Sequence, residues 1–144
     1  MLVNLEINKE NLRKNLEKIR SINKNIICVI KDNAYGLGIG NILPILIENN
    51  CNYFAVAYIN ETVKIREILK NFEKEKKLRF LENRKIKIMA LNYIKPQKLE
   101  YAIENDVELT VFNFSQLSDY LKILDKFFEN KVLKIHIKVN SGMN

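Results

Sequence analysis

Tryptophan is absent from this 144-residue sequence, and glycine (four), proline (two), cysteine (two) and histidine (one) are scarce. Each scarcity removes a class of protein. Two cysteines cannot make the disulfide framework of a small secreted domain, and neither has the spacing of a metal ligand. Cys28, inside an apolar run, and Cys51, just ahead of the next one, read as two buried thiols in a reducing compartment. His136 has no second histidine to join, so no metal site is expected. Long hydrophobic runs are missing too: Ile26 to Ile30, and Ile42 to Ile47 broken by Pro44, fall far short of the roughly 20 residues that span a bilayer. Met1-Leu2-Val3-Asn4-Leu5-Glu6 lacks the basic start and apolar core of a signal peptide. No membrane partner is expected, and the cytoplasm is the default location.

What is present is a globular composition, 47% hydrophobic, carrying a net charge of +7 from 24 Lys and Arg against 17 Asp and Glu. The excess is densest from Lys70 to Lys87 and could attract nucleic acid. Phe72 and Phe80 are spaced as one helix face rather than as a stacking platform, however, and Glu73, Glu75 and Glu82 interrupt the run. A solvated helix face with a loop is the better reading, and no nucleic-acid partner is expected.

Apolar periodicity divides the chain into alternating strands and helices. Asn8 caps a helix through Asn11 to Ser21, with Leu12, Leu16 and Ile19 inward and Arg13, Lys14 and Lys18 outside. Strands follow at Asn25–Ile30, Tyr53–Tyr58, Ile86–Leu91, Val107–Phe112 and Leu133–Val139, the last alternating Leu133, Ile135, Ile137 and Val139 inward with Lys134, His136 and Lys138. Helices between them are expected over Asn41–Glu48 with Pro44 in a first turn, from Asn60 into the charged stretch, after Pro96, and from Asn113 with Gln116 as a capping pair through Phe128. This alternation argues for a parallel α/β sheet with right-handed crossovers, either open and doubly wound or part of an eight-stranded barrel. A complete barrel takes about 250 residues, so the barrel reading makes 1–144 an incomplete domain. The turn sequence Ser141-Gly142-Met143-Asn144, directly after a buried strand, fits that expectation.

The first strand is the informative one. Ile26, Ile27, Cys28, Val29 and Ile30 read as buried on both faces and run straight into Lys31, then into Asp32-Asn33-Ala34-Tyr35-Gly36-Leu37-Gly38. An ammonium at the carboxyl end of a buried strand is partly desolvated, which lowers its pKa and frees an amine able to form a Schiff base. Active sites of parallel α/β proteins lie at that end. Gly36, Gly38 and Gly40 would let backbone N–H groups approach an anion, and Tyr35 offers it a hydroxyl. The spacing is neither the dinucleotide fingerprint nor a P-loop.

Val29-Ile30-Lys31-Asp32-Asn33-Ala34-Tyr35-Gly36-Leu37-Gly38 resembles the pyridoxal-phosphate signature V-K-A-N-A-Y-G-H-G of bacterial alanine racemases. Leu5-Glu6-Ile7 with Leu12 and Asn15 resembles the family's opening helix, and Tyr53-Phe54-Ala55-Val56-Ala57 its second strand. His136-Ile137-Lys138-Val139-Asn140-Ser141-Gly142-Met143-Asn144 resembles H-L-K-V-D-T-G-M-N, which an arginine normally follows. The resemblance covers the whole chain. It implies the first five strands of a pyridoxal-phosphate-binding (β/α)8 barrel without the carboxyl-terminal β domain.

The resemblance further implies that Lys31 holds pyridoxal 5'-phosphate as an internal aldimine and serves as a base, while Tyr35 hydrogen-bonds the phosphate. The parent activity would be interconversion of L- and D-alanine for peptidoglycan, by a homodimer in which a partner's tyrosine serves the other face. Lys138 falls on the position carbamylated in some members, and His136 is expected to pack or bond structurally. Leu37, Asp32 and Asn140-Ser141 depart from the usual histidine, alanine and Asp-Thr, though Lys31 and Tyr35 are intact. The other cofactor ligands and second base would lie past Asn144, so the chain alone is expected to be inactive. The rivals are another protein of this barrel (a serine or lysine racemase, an amino-acid decarboxylase, a pyridoxal-phosphate homeostasis protein) and a basic binding module built on Lys70 to Lys87.

Overall fold

A computed structural model describes residues 4–74, 85–127 and 131–142. Most of the basic stretch between Lys70 and Lys87, and the expected helix end at Phe128, fall outside these residues.

Helix α1 (Lys9–Ile22) starts where Asn8 accepts from the Asn11 N–H at 2.9 Å, the expected cap. Its inward stripe is narrower than the periodicity predicts. Leu16 is buried and Leu12 half-buried, but Ile19 is 50% exposed and Ile22 84%. On the outer side Arg13 bridges Glu10 and Glu17. Strand β1 (Cys28–Val29) follows, then a short helical turn, α2 (Lys31–Tyr35), and helix α3 (Ile39–Glu48). Helix α3 begins two residues earlier than expected, which places Pro44 in its interior rather than its first turn.

Strands β2 (Tyr53–Val56), β3 (Lys87–Ala90), β4 (Val107–Val111) and β5 (Ile135–Ile137) alternate with α4 (Ile59–Lys74), a 3₁₀ turn (Pro96–Lys98) leading into α5 (Leu99–Glu104), and α6 (Phe114–Phe127). Asn113 caps α6 by accepting from the Gln116 N–H at 2.8 Å, while Gln116 Oε1 accepts from Phe112 rather than from Asn113.

All four strand pairings are parallel and the order is β1-β2-β3-β4-β5. A doubly wound sheet reverses its order at a switch point. Strict succession is the arc of a barrel, which decides between the two architectures. In register, Cys28 pairs with Phe54, Phe54 with Ile88, Ile88 with Val107, and Leu109 with Ile135. This row of apolar residues meets the helices in two clusters, one around Leu43, Phe54 and Ile65, the other around Leu99, Leu109 and Tyr120.

Strand β1 is not buried on both faces as its composition suggests. Ile30 is buried, but Ile27 and Val29, on the alternate face, are 44% and 42% exposed, because β1 is an edge of this sheet with one neighbour. At the opposite edge Ile137 and Val139, expected to point inward, are 76% and 70% exposed.

Candidate active site

The carboxyl end of β1 delivers Lys31, half-buried, into α2. That turn is left-handed. Asp32, Asn33 and Ala34 have φ/ψ near 52/47, 56/45 and 56/49, Tyr35 has φ 53, and Gly36 closes the turn at φ 84. For non-glycine residues this conformation costs about 1–2 kcal/mol each, so the surroundings must hold it.

Three groups do so. Glu61, in the first turn of α4, accepts from the Asp32 N–H at 2.5 Å and from the Ala57 and Tyr58 N–H groups at 2.7 and 3.1 Å. One carboxylate thereby ties the end of β1 to the end of β2. Asn33 Oδ1 accepts from the Ile39 N–H and from Lys64 Nζ, both at 3.1 Å, which fixes the turn to the start of α3. Ala34, 3% exposed, plugs into the core beneath.

The turn leaves Tyr35 62% exposed, with Lys31 Nζ 5.9 Å from its ring centroid. An ammonium at that distance is drawn to the ring face. The glycines play unequal parts. The N–H groups of Gly36 and Gly38 do not face an open anion site; they donate to the Asp32 and Asn33 carbonyls at 3.0 and 2.9 Å. Gly38 (φ 87) needs its conformational freedom, and a Cβ there would lie 2.9 Å from Asn41 Nδ2, whereas a Cβ on Gly40 would meet nothing within 4 Å.

Lys138 stands at the same, carboxyl, end of the sheet but at the other margin, following β5. Its N–H donates to the Val111 carbonyl at 2.8 Å, and it is exposed beside an apolar groove of about 400 Å³ that Phe112, Phe114 and Ile137 also line.

Between these margins the second face of the sheet carries a polar cluster. Tyr53 of β2, Glu108 of β4 and His136 of β5 meet: the Tyr53 hydroxyl donates to Glu108 Oε2, and His136 Nε2 lies 2.7 Å from the same oxygen and 2.8 Å from the Tyr53 oxygen. Glu108 is 6% exposed. Burial works against its charge, but the bonds from Tyr53 and His136, with the Lys87 ammonium nearby, hold its carboxyl below the usual carboxylate range. Burial, and then the bond to Glu108, push the Tyr53 phenol up. The bonded carboxylate and imidazole define a cross-strand brace through the middle of the sheet.

Glu61 and this cluster escape a reading of the sequence. Glu61 leaves one signal, an acid in the first turn of a helix that follows a strand. The cluster becomes visible only once strand register assigns Tyr53, Glu108 and His136 to one face.

A strictly sequential parallel arc with an amine on a rigid turn at its carboxyl end defines a (β/α)8-barrel class of protein. Residues 7–144 match the model of the alanine racemase amino-terminal domain, and the chain belongs to that family. It is 36% identical over 142 residues to the alanine racemase of Clostridium novyi, covering 96% of this chain and 32% of that protein. The alanine racemase of Oenococcus oeni superposes on 96% of this chain and 36% of its own, with a TM-score of 0.75 at 24% identity. A histidine racemase from Leuconostoc mesenteroides shares the fold over 88% of this chain and 30% of its own, at 18% identity and a TM-score of 0.69. The chain therefore spans about a third of the length of the curated relative it matches.

Proposed function

We propose that this chain supplies the amino-terminal arc and the cofactor anchor of a pyridoxal-phosphate-dependent racemase that interconverts L- and D-alanine, the D-isomer serving peptidoglycan. The observation that carries the reading is Lys31: a half-buried primary amine at the carboxyl end of β1, followed by a left-handed turn that other elements hold in place. The donor set fits the group. Lys31 offers the amine that condenses with an aldehyde, and Tyr35 offers a phenol hydroxyl on the same turn for the phosphate.

Bound there, the cofactor supplies an electron-withdrawing ring that acidifies the hydrogen on the α-carbon of an amino acid. Lys31 Nζ holds or returns that proton on one face of the substrate. Tyr35 orients the anchored end, and Glu61 keeps the turn from relaxing. Lys138, at the other margin, is proposed as a carbamylated lysine that orients a neighbouring arginine. Inversion requires an acid/base group on the second face as well. The proposed residues of this chain include none, so turnover is assigned to a longer homodimeric protein in the cytoplasm.

Borohydride reduction of the chain with pyridoxal phosphate, followed by peptide mapping, is expected to place one pyridoxyl group on Lys31 and none in Lys31→Ala. Label spread evenly over the surface lysines would refute the anchor. Racemisation of alanine by the 144-residue chain alone would overturn the assignment of turnover to a longer protein.

A further inference from the structure

At the amino ends of the strands, opposite Lys31, the fold makes a second chemical site. Cys28 lies on β1 and Cys51 in the loop before β2, and the Cys28–Phe54 pairing brings that loop alongside. The two cysteine side chains pack in one core cluster, close enough for each thiol to shift the other's acidity. Arg20, from the last turn of α1, donates Nη2 to Cys51 Sγ at 3.2 Å. A recess of about 460 Å³ opens beside Cys51, lined also by Arg20, Lys24 and Lys87, with no acidic residue among the described residues that line it.

The Arg20 guanidinium on the Cys51 sulfur, in a recess whose other charged lining among the described residues is Lys24 and Lys87, favours its thiolate. The Cys28 thiol lowers the Cys51 pKa most, burial opposes it, and the Arg20 charge adds to the lowering, which brings it to about 7. The Cys51 thiol, and then burial, push the Cys28 thiol up. One sulfur is thus prepared to attack while its neighbour keeps a proton to give.

We propose that Cys51 is a peroxide-reactive thiolate and Cys28 its resolving partner, the pair closing a disulfide between β1 and the loop before β2. Cys51 Sγ attacks the terminal oxygen of a hydroperoxide; an S–O bond forms, the O–O bond breaks, and the alkoxide leaves and is protonated from water. Cys28 sulfur then attacks the resulting sulfenic acid; an S–S bond forms, the S–O bond breaks, and the hydroxyl leaves as water with the Cys28 proton. Two thiols lose two electrons in all, and the hydroperoxide gains them. Cys51 is 3% exposed, so the recess admits small oxidants.

Brief treatment of the reduced 144-residue chain with hydrogen peroxide, followed by N-ethylmaleimide and intact-mass analysis, is expected to give a species lighter by two hydrogens. It takes up no maleimide and links the Cys28 and Cys51 peptides. In Cys28→Ser the reaction stops at a sulfenic acid on Cys51, trapped by dimedone. In Arg20→Gln with unchanged circular dichroism, oxidation slows about tenfold as the thiolate fraction falls. A chain with native circular dichroism that still takes up two maleimides after peroxide overturns the proposal. Oxidation as fast in urea as in buffer also overturns it, since any two thiols at this separation would then pair.

Discussion

Glu61 concentrates on one carboxylate what the turn after Lys31 requires, since its two oxygens take three backbone N–H groups from two different strand ends. Hydrogen bonds to a charged acceptor contribute about 1.5–3 kcal/mol each before the cost of ordering is counted. Glu61→Ala is expected to lower stability by about 2 kcal/mol in a urea titration and Glu61→Gln by less, because the amide keeps one acceptor. Asp106 answers to pH. Its bonds to Lys134 and Lys85 hold its carboxyl at about 2, below the ordinary 3.8. A carboxyl with a depressed folded pKa contributes stability that is present above the unfolded value and lost as pH falls through the folded one. Asp106→Asn should therefore lower stability at pH 7, by about 1 kcal/mol or less for so exposed a group, and change little near pH 2, which flattens the loss of stability between about pH 4 and pH 2. Thermal unfolding at a series of pH values checks this, and an unchanged acid limb would remove Asp106 from the account.

Among the elements, α2 shows best where sequence reasoning succeeds and where it stops. The strand, the lysine, the turn and the helix after it are all legible, because apolar periodicity and glycine placement are local signals. The left-handedness of Asp32 to Tyr35 is not, because local sterics oppose it and tertiary bonds impose it. Asp32 and Asn33, which tolerate that region better than most residues, are the one clue. The exposure of Ile27 and Val29 eludes composition for a related reason: an apolar run shows that a strand can be buried, and only topology shows which strand is an edge. The three turn glycines look alike in sequence and differ in space. Gly38→Ala is expected to destabilise by about 1–2 kcal/mol through its positive φ and to displace the Asn41 side chain. Gly40→Ala, inside α3 with open space around it, should stabilise by up to about 1 kcal/mol. Chemical denaturation of the pair checks the contrast, and equal effects would remove it.

At the scale of the molecule, the sheet leaves apolar side chains uncovered at both margins: Ile27 and Val29 at β1, and Ile137 at the end of β5 with Val139 just past it, while Phe114 is 89% exposed. Unpaired edges of this kind invite association. The chain at high concentration should therefore sediment as a concentration-dependent mixture, and Ile137→Lys or Val139→Lys should shift it toward monomer without lowering the urea midpoint. Sedimentation velocity over a dilution series checks this; monomer at every concentration in the parent chain would contradict it. The strand order has a kinetic side as well. Each strand pairs only with its immediate neighbours in sequence, and the most widely separated partners in the ladder, such as Tyr53 with Lys87, are 34 positions apart. Contacts of such short span close cheaply. A ribosome therefore releases each new strand against an edge already formed, and the sheet can grow in the order in which it is translated.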